Sequence, residues 1–131
     1  MRLLLDTHTF LWHSDGSPKV SAAATALLLD PWNDLFLSMA TVWEIAIKAG
    51  LKKLNLSNSY VPFMTAAIAS YGIVVLPVTF DDCAEYESLA FASPKHRDPF
   101  DRMIITHAKR NGLTIVGADV SFDFYGISRL W

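Results

Sequence analysis

The chain of 131 residues carries a single cysteine, Cys83, so it forms no internal disulfide and no cysteine-based zinc site. It has no apolar stretch near the roughly 18–20 residues needed to span a bilayer, which argues against membrane insertion. Nothing resembling a signal peptide opens it, because Met1-Arg2 runs straight into Leu3-Leu4-Leu5-Asp6. An excess of one charge is missing as well. Eleven Lys+Arg against thirteen Asp+Glu leave a net charge of −2, which excludes a polycation that grips nucleic acid by bulk charge. No repeat, low-complexity tract or Pro/Gly/Ser linker divides the sequence. These absences predict one soluble, cytoplasmic domain. Apolar residues are plentiful: 52% of the chain is hydrophobic and the mean hydropathy is +0.28, so a real core is available and disorder is excluded. That share exceeds the roughly 45–50% of ordinary soluble domains and points to apolar surface covered by a partner.

Four short apolar runs stand out: Leu3–Leu5, Leu35–Leu37, Ile73–Val78 and Leu113–Ala118. They have the length of buried strands and little polar alternation, as parallel strands covered on both faces do. Longer segments with helical spacing lie between them. Val20–Leu29 stops at Asp30-Pro31, Ala40–Ala49 at Gly50, and Val61–Ser70 near Gly72. Asp81–Ala90 precedes a polar stretch with Pro94, and Pro99–Arg110 stops at Asn111-Gly112. Strands alternating with helices imply right-handed crossovers and a mostly parallel sheet. With a weak last strand near Ile127–Leu130, the reading is a three-layer α/β/α domain with four to five strands.

Ligands of open parallel sheets bind beyond the carboxyl ends of the strands, so the residues just after each run matter most. Asp6 follows the first run and Asp119 the Leu113–Ala118 run, which puts both on one edge. Carboxylates brought together this way repel unless a cation or proton intervenes, although either one alone reads as a helix cap. Asp98-Pro99-Phe100-Asp101 opens the strongest helix, with Asp98 as N-cap and Pro99 at the first helical position. Asp101 precedes Ile104 and Ile105, which places it near the inward side, and an inward acid needs a partner. Glu44, one of three glutamates, either pairs with Lys48 on an exposed face or is carried close to the strand tips. Asp81 and Asp82 read as caps, and Asp123 as surface. Carboxylates without cysteine, or histidine at close motif spacing, form an all-oxygen set that suits a hard ion such as Mg²⁺ or Mn²⁺. Such an ion activates water and neutralises charge in phosphodiester hydrolysis.

With Asp6, Glu44, Asp101 and Asp119 in this order, the chain resembles the PIN-domain ribonucleases, specifically the VapC toxins of type II toxin–antitoxin systems. The match spans essentially residues 1–131 as a single PIN domain. It is carried by Leu3-Leu4-Leu5-Asp6-Thr7-His8 with Phe10-Leu11-Trp12, by Ser38 through Lys48, by His96 through Ile104, by Ile115–Asp119 and by Phe122 through Gly126. The first and third pieces together are specific. The resemblance implies Mg²⁺ coordination by Asp6, Glu44, Asp101 and Asp119, with Mn²⁺ able to substitute. Asp98 competes with Asp101 for the third position, and helix phase favours Asp101. The resemblance also implies selective RNA cleavage, neutralisation by a cognate VapB-type antitoxin, and a homodimer within that complex. One departure is Gly117, two places before the last acid, where many relatives carry a hydroxyl residue.

Two other readings compete with the nuclease. A receiver-like domain binds Mg²⁺ and accepts a phosphoryl group, but it wants an acceptor Asp ending a central strand and a Lys ending the last one. Here the third run ends in Val78-Thr79-Phe80 and no Lys follows Leu113–Ala118. The other is a catalytically inactive PIN-like interaction module, against which the retained acids argue. Lys48, Lys52 and Lys53 form one basic group, and Lys95, His96, Arg97 and Arg102 another; both are candidates for RNA contact. Thr7 either orients a metal-bound water through its hydroxyl or bonds backbone at a helix start, and the second is favoured. Trp12, Trp43 and Ile45–Ile47 read as core, His13 and His107 as structural, and His8 and His96 as neighbours of the motifs.

Overall fold

Leu3, Leu4 and Leu5 have no solvent exposure, and their strand, β1 (Arg2–Leu5), forms the middle of a five-stranded sheet. The computed structural model describes residues 1–92 and 95–131; Pro94, in the polar stretch noted above, lies outside them. From β1 the chain runs through α1 (Thr7–Ser14) and α2 (Ala22–Leu29) into β2 (Asp34–Ser38). It then passes α3 (Met39–Gly50) and α4 (Tyr60–Ser70) to β3 (Val74–Leu76). Helices α5 (Phe80–Ser88) and α6 (Pro99–Asn111) lead to β4 (Thr114–Val116), and a 3-10 helix (Val120–Tyr125) leads to β5 (Arg129–Leu130). The strand order is β3-β2-β1-β4-β5 and every ladder is parallel.

Pleating sends successive side chains of β1 to opposite faces. Leu3 and Leu5 join Phe10, Leu28, Ile45, Phe63 and Met64 from α1 to α4 on one side. Leu4 joins Ile104, Ile105 and Ala108 of α6 and Phe122 of the 3-10 helix on the other. Burying each such large aliphatic side chain stabilises the fold by about 1.5–3 kcal/mol. The two cores make the three layers, as the alternating runs predict. No helix among the described residues is long and apolar enough to cross a membrane.

Because all strands are parallel, Asp6, Met39 and Gly117 leave the sheet at the same edge. The chain builds outward from β1 to β2 and β3, then returns to the other side of β1 for β4 and β5. That reversal leaves a crevice between the ends of β1 and β4, where such folds place ligands.

The structure differs from the sequence reading in three places. Helix α1 has little apolar periodicity and is set by its cap, since the Asp6 carboxylate accepts from the Thr9 N–H at 2.7 Å. Helix α3 ends at Gly50 as expected, but Gly50 is not the residue that turns the chain. Leu51 is its C-cap, Lys52 takes the left-handed conformation at φ 57°, and the Lys53 N–H bonds the Lys48 carbonyl at 2.9 Å. On α3 the buried residues are Ala40, Thr41, Glu44 and Ile45, which turns Trp43 and Ile47 outward; Trp43 is 63% exposed rather than core.

Candidate metal centre

Asp6 ends β1 and is buried at 5% exposure. One carboxylate oxygen, Oδ1, caps α1; the other lies against Gly117, where a Cβ would stand 2.5 Å from Oδ2. A side chain at 117, a hydroxyl residue included, would therefore have to displace the acid or the end of β4. The Asp6 N–H bonds the Val116 carbonyl at 3.1 Å, and Arg129 on β5 holds the Gly117 carbonyl at 2.9 Å, so the crevice walls are pinned from both sides. Burial pushes the Asp6 carboxyl up; the Thr9 hydrogen bonds and His8 oppose this, and Asp119 adds to it.

Asp101, in the first turn of α6, has its carboxyl pushed up to about 7. Burial is the largest cause, followed by the charges of Asp98, Glu44, Asp119 and Asp6. One carboxylate thus feels all the other acids singled out above. Asp98 caps α6, accepting from the Phe100 and Asp101 N–H groups at 2.8 and 3.0 Å. Asp119 caps the 3-10 helix through the Ser121 N–H at 2.9 Å. In Asp6, Asp98 and Asp119, capping and membership of the acidic cluster coexist.

Both readings of Glu44 also meet. It pairs with Lys48 at 2.6 Å, yet it is buried at 6% exposure and its charge acts on Asp101. Thr7 does not bond backbone as its position suggests. Its hydroxyl donates to Glu44 Oε1 at 2.7 Å and sits 3.1 Å from the Thr41 hydroxyl, because α1 and α3 pack side by side at the strand tips.

His96, read from the sequence as a neighbour of the motifs and a candidate for RNA contact, sits against the acids themselves. Its Nε2 lies 3.4 Å from Asp101 Oδ2, and ligand atoms of His96, Asp101 and Asp119 all fall within 4.8 Å of one another. An imidazole nitrogen thus borders the acids that the sequence reading treats as an all-oxygen set. The only signal in the sequence was its position just before Asp98-Pro99.

Two other members of the basic group and the acidic set have structural partners. Arg102 is buried at 2% exposure, donates to the Leu89 carbonyl at 2.6 Å and stacks 3.9 Å from the Phe91 ring centre, so it anchors α6 instead of facing a substrate. Asp123 is held by Arg129 at 2.8 and 2.9 Å. His107 is buried between Ser38 Oγ at 3.0 Å and Asp82 Oδ2 at 3.2 Å. His13, half-buried, packs on Tyr71.

The donor set fits a divalent cation: carboxylates that repel one another, one of them pushed up to about 7 by burial and then by that repulsion, and a buried nitrogen at their edge.

Among solved structures, the chain is similar to VapBC2 from Rickettsia felis, bound there to a promoter DNA fragment. The TM-score is 0.71 at 14% identity, covering 99% of this chain and 98% of that one. It is similar to VapBC-1 from nontypeable Haemophilus influenzae with a TM-score of 0.68 at 20% identity, covering 99% and 97%. It is also similar to FitAcB from Neisseria gonorrhoeae, with a TM-score of 0.64 at 22% identity, covering 98% and 96%. No curated protein matches the chain. The PIN domain model matches residues 3–126, nearly the full length, and the chain belongs to the PIN domain family.

Proposed function

We propose that the protein is a Mg²⁺-dependent endoribonuclease and the toxin of a type II toxin–antitoxin pair, with Asp6, Glu44, Asp101 and Asp119 holding the ion. The observation that carries this reading is the half-buried Asp101 carboxyl, grouped with an Asp119 oxygen and opposed by the charges of Asp98, Glu44, Asp119 and Asp6 at a parallel-sheet switch point. Bound there, Mg²⁺ or Mn²⁺ lowers the pKa of water and neutralises charge on a phosphodiester.

The chain's own residues supply the rest. Thr7 and Lys48 each engage one oxygen of Glu44 and fix its orientation. The N–H of Thr9 and the bare Cα of Gly117 do the same for Asp6. Beside Glu44 opens a cleft of about 430 Å³ lined in part by Thr7, His8, Trp12, Lys48 and Lys53. Its cations and aromatic rings suit single-stranded RNA, whose bases stack and whose phosphates need positive charge.

A protein partner is supported by the apolar groove of Met39, Trp43, Tyr86, Phe100 and Met103 and by exposed Trp43 and Phe80. We assign that role to a VapB-type antitoxin and to a second copy of the chain within the complex, acting in the cytoplasm. Structures of this fold solved as VapBC complexes support the antitoxin.

The test is RNA cleavage with Mg²⁺ against EDTA. Cleavage is expected only with the ion, giving 5′-phosphate and 3′-hydroxyl ends. Metal-independent cleavage with 2′,3′-cyclic phosphate ends would contradict the mechanism, and absence of cleavage under all conditions would favour an inert interaction module.

A further inference from the structure

We propose that His96 is a nitrogen ligand of the cation held by the acids, biasing the site toward ions that accept imidazole, such as Mn²⁺, over Mg²⁺. This rests on the metal-site reading above and adds a donor to it.

Three observations converge on Nε2 of His96. It is buried and has no hydrogen-bond partner among the described residues, which is costly for an imidazole nitrogen unless something engages it. It lies 3.4 Å from Asp101 Oδ2 and within the same 4.8 Å cluster as an Asp119 oxygen, so one ion can reach all three. Its approach to Asp101 is an ion pair only when the ring is protonated, and no hydrogen bond joins the two.

The other ring nitrogen is accounted for. Nδ1 sits 2.7 Å from the Tyr125 hydroxyl. With the Nδ1 proton donated to that oxygen, Nε2 carries the free lone pair, the tautomer a metal-ligating histidine needs. Phe122 meets the ring edge-on at 6.3 Å and Tyr125 packs at 5.4 Å, which fixes its plane. Phe122 and Tyr125 belong to the 3-10 helix that Asp119 caps, so one short element orients both a carboxylate and the imidazole. Carboxylate oxygens alone suit Mg²⁺; an imidazole favours transition ions, whose affinities for nitrogen sites exceed that of Mg²⁺.

The experiment is titration of the purified, RNA-free chain with Mn²⁺ and separately with Mg²⁺, by calorimetry, together with pulsed EPR of the Mn²⁺-loaded protein. The wild type is expected to show a ¹⁴N coupling from a directly bound imidazole. His96→Ala should lose that signal and bind Mn²⁺ about tenfold or more weakly, with a smaller change for Mg²⁺. Tyr125→Phe, which preserves the packing, should weaken Mn²⁺ by up to about tenfold by freeing the ring. Equal Mn²⁺ affinity in wild type and His96→Ala without a ¹⁴N coupling would overturn the proposal while leaving the carboxylate site standing. Failure of the wild type to bind either ion, with Asp101→Asn behaving identically, would overturn the metal site itself.

Discussion

Gly117 touches Asp6 so closely that side-chain size at this position and carboxylate placement are one variable. Gly117→Ala must push either the acid or the end of β4, and overpacking of this kind costs about 1–3 kcal/mol. The substitution is therefore expected to lower the midpoint of thermal unfolding and to weaken divalent-ion binding in the same sample, read by calorimetry. An unchanged midpoint and affinity would show that Asp6 has room. The residues at this scale were unequally legible in the sequence. Asp6, Asp101 and Asp119 announce themselves by following apolar runs or opening a capped helix. His96 does not show itself as a neighbour of Tyr125, because no periodicity records a contact 29 residues apart. The hydroxyl of Thr7 was misjudged for a related reason: its partner is on α3, and Glu44 takes it from the local backbone.

Elements hold these residues through a buried polar connection on the α5–α6 side. Thr79 and Asp82 form a capping box at the start of α5, and Asp82 also meets His107 and Arg110 on α6. His107 continues to Ser38, which caps α3, the helix of Glu44. Burial pushes the Asp82 carboxyl up, but the Thr79 N–H, Arg110 and the Thr79 hydroxyl outweigh it, and with His107 they hold it down at about 2. A carboxyl lowered on folding contributes stability above its unfolded value near 3.8, and that stability disappears as pH falls toward about 2. Asp82→Asn should accordingly destabilise the fold by on the order of 2 kcal/mol at pH 7, with the difference from wild type shrinking between pH 4 and pH 2 in denaturant titrations. A difference independent of pH would place the cost elsewhere. The turn after α3 makes a separate prediction. Lys52 occupies a left-handed position at φ 57° that suits glycine, so Lys52→Gly should stabilise the protein by about 1 kcal/mol, measured by thermal melt. Gly50 is the last helical residue, but the left-handed turn falls at Lys52, because composition alone does not say which residue after a helix turns left-handed. Helix α6 was legible almost to the residue, since Asp98, Pro99 and Gly112 state its cap, first turn and end chemically.

For the whole molecule, strand order matters more than any single helix. Four apolar runs and their spacing predict a parallel α/β sheet, and the structure supplies what spacing cannot: β1 in the middle and the reversal that opens the crevice between β1 and β4. Part of the modest apolar surplus lies on the outward face of α3 beside α6, where Trp43 stacks edge-on against Phe100 at 5.5 Å, while Trp32, Val61 and Phe124 are exposed elsewhere. If a second copy covers this face, the chain should run as a dimer in size-exclusion chromatography with light scattering, and Trp43→Arg should run as a folded monomer. A variant that still dimerises, or a monomeric wild type, would move the homodimer interface away from α3.

The acids carry the account, and Asp101 is the one whose charge the others oppose most plainly. The decisive measurement is cleavage of single-stranded RNA in Mg²⁺ by wild type and Asp101→Asn, with the metal-free stability of each recorded alongside. Removing the opposed charge should stabilise the metal-free fold by on the order of 2 kcal/mol and cut cleavage by about 100-fold or more. Asp101→Asn protein that cleaves as the wild type does would contradict the metal-centre assignment outright.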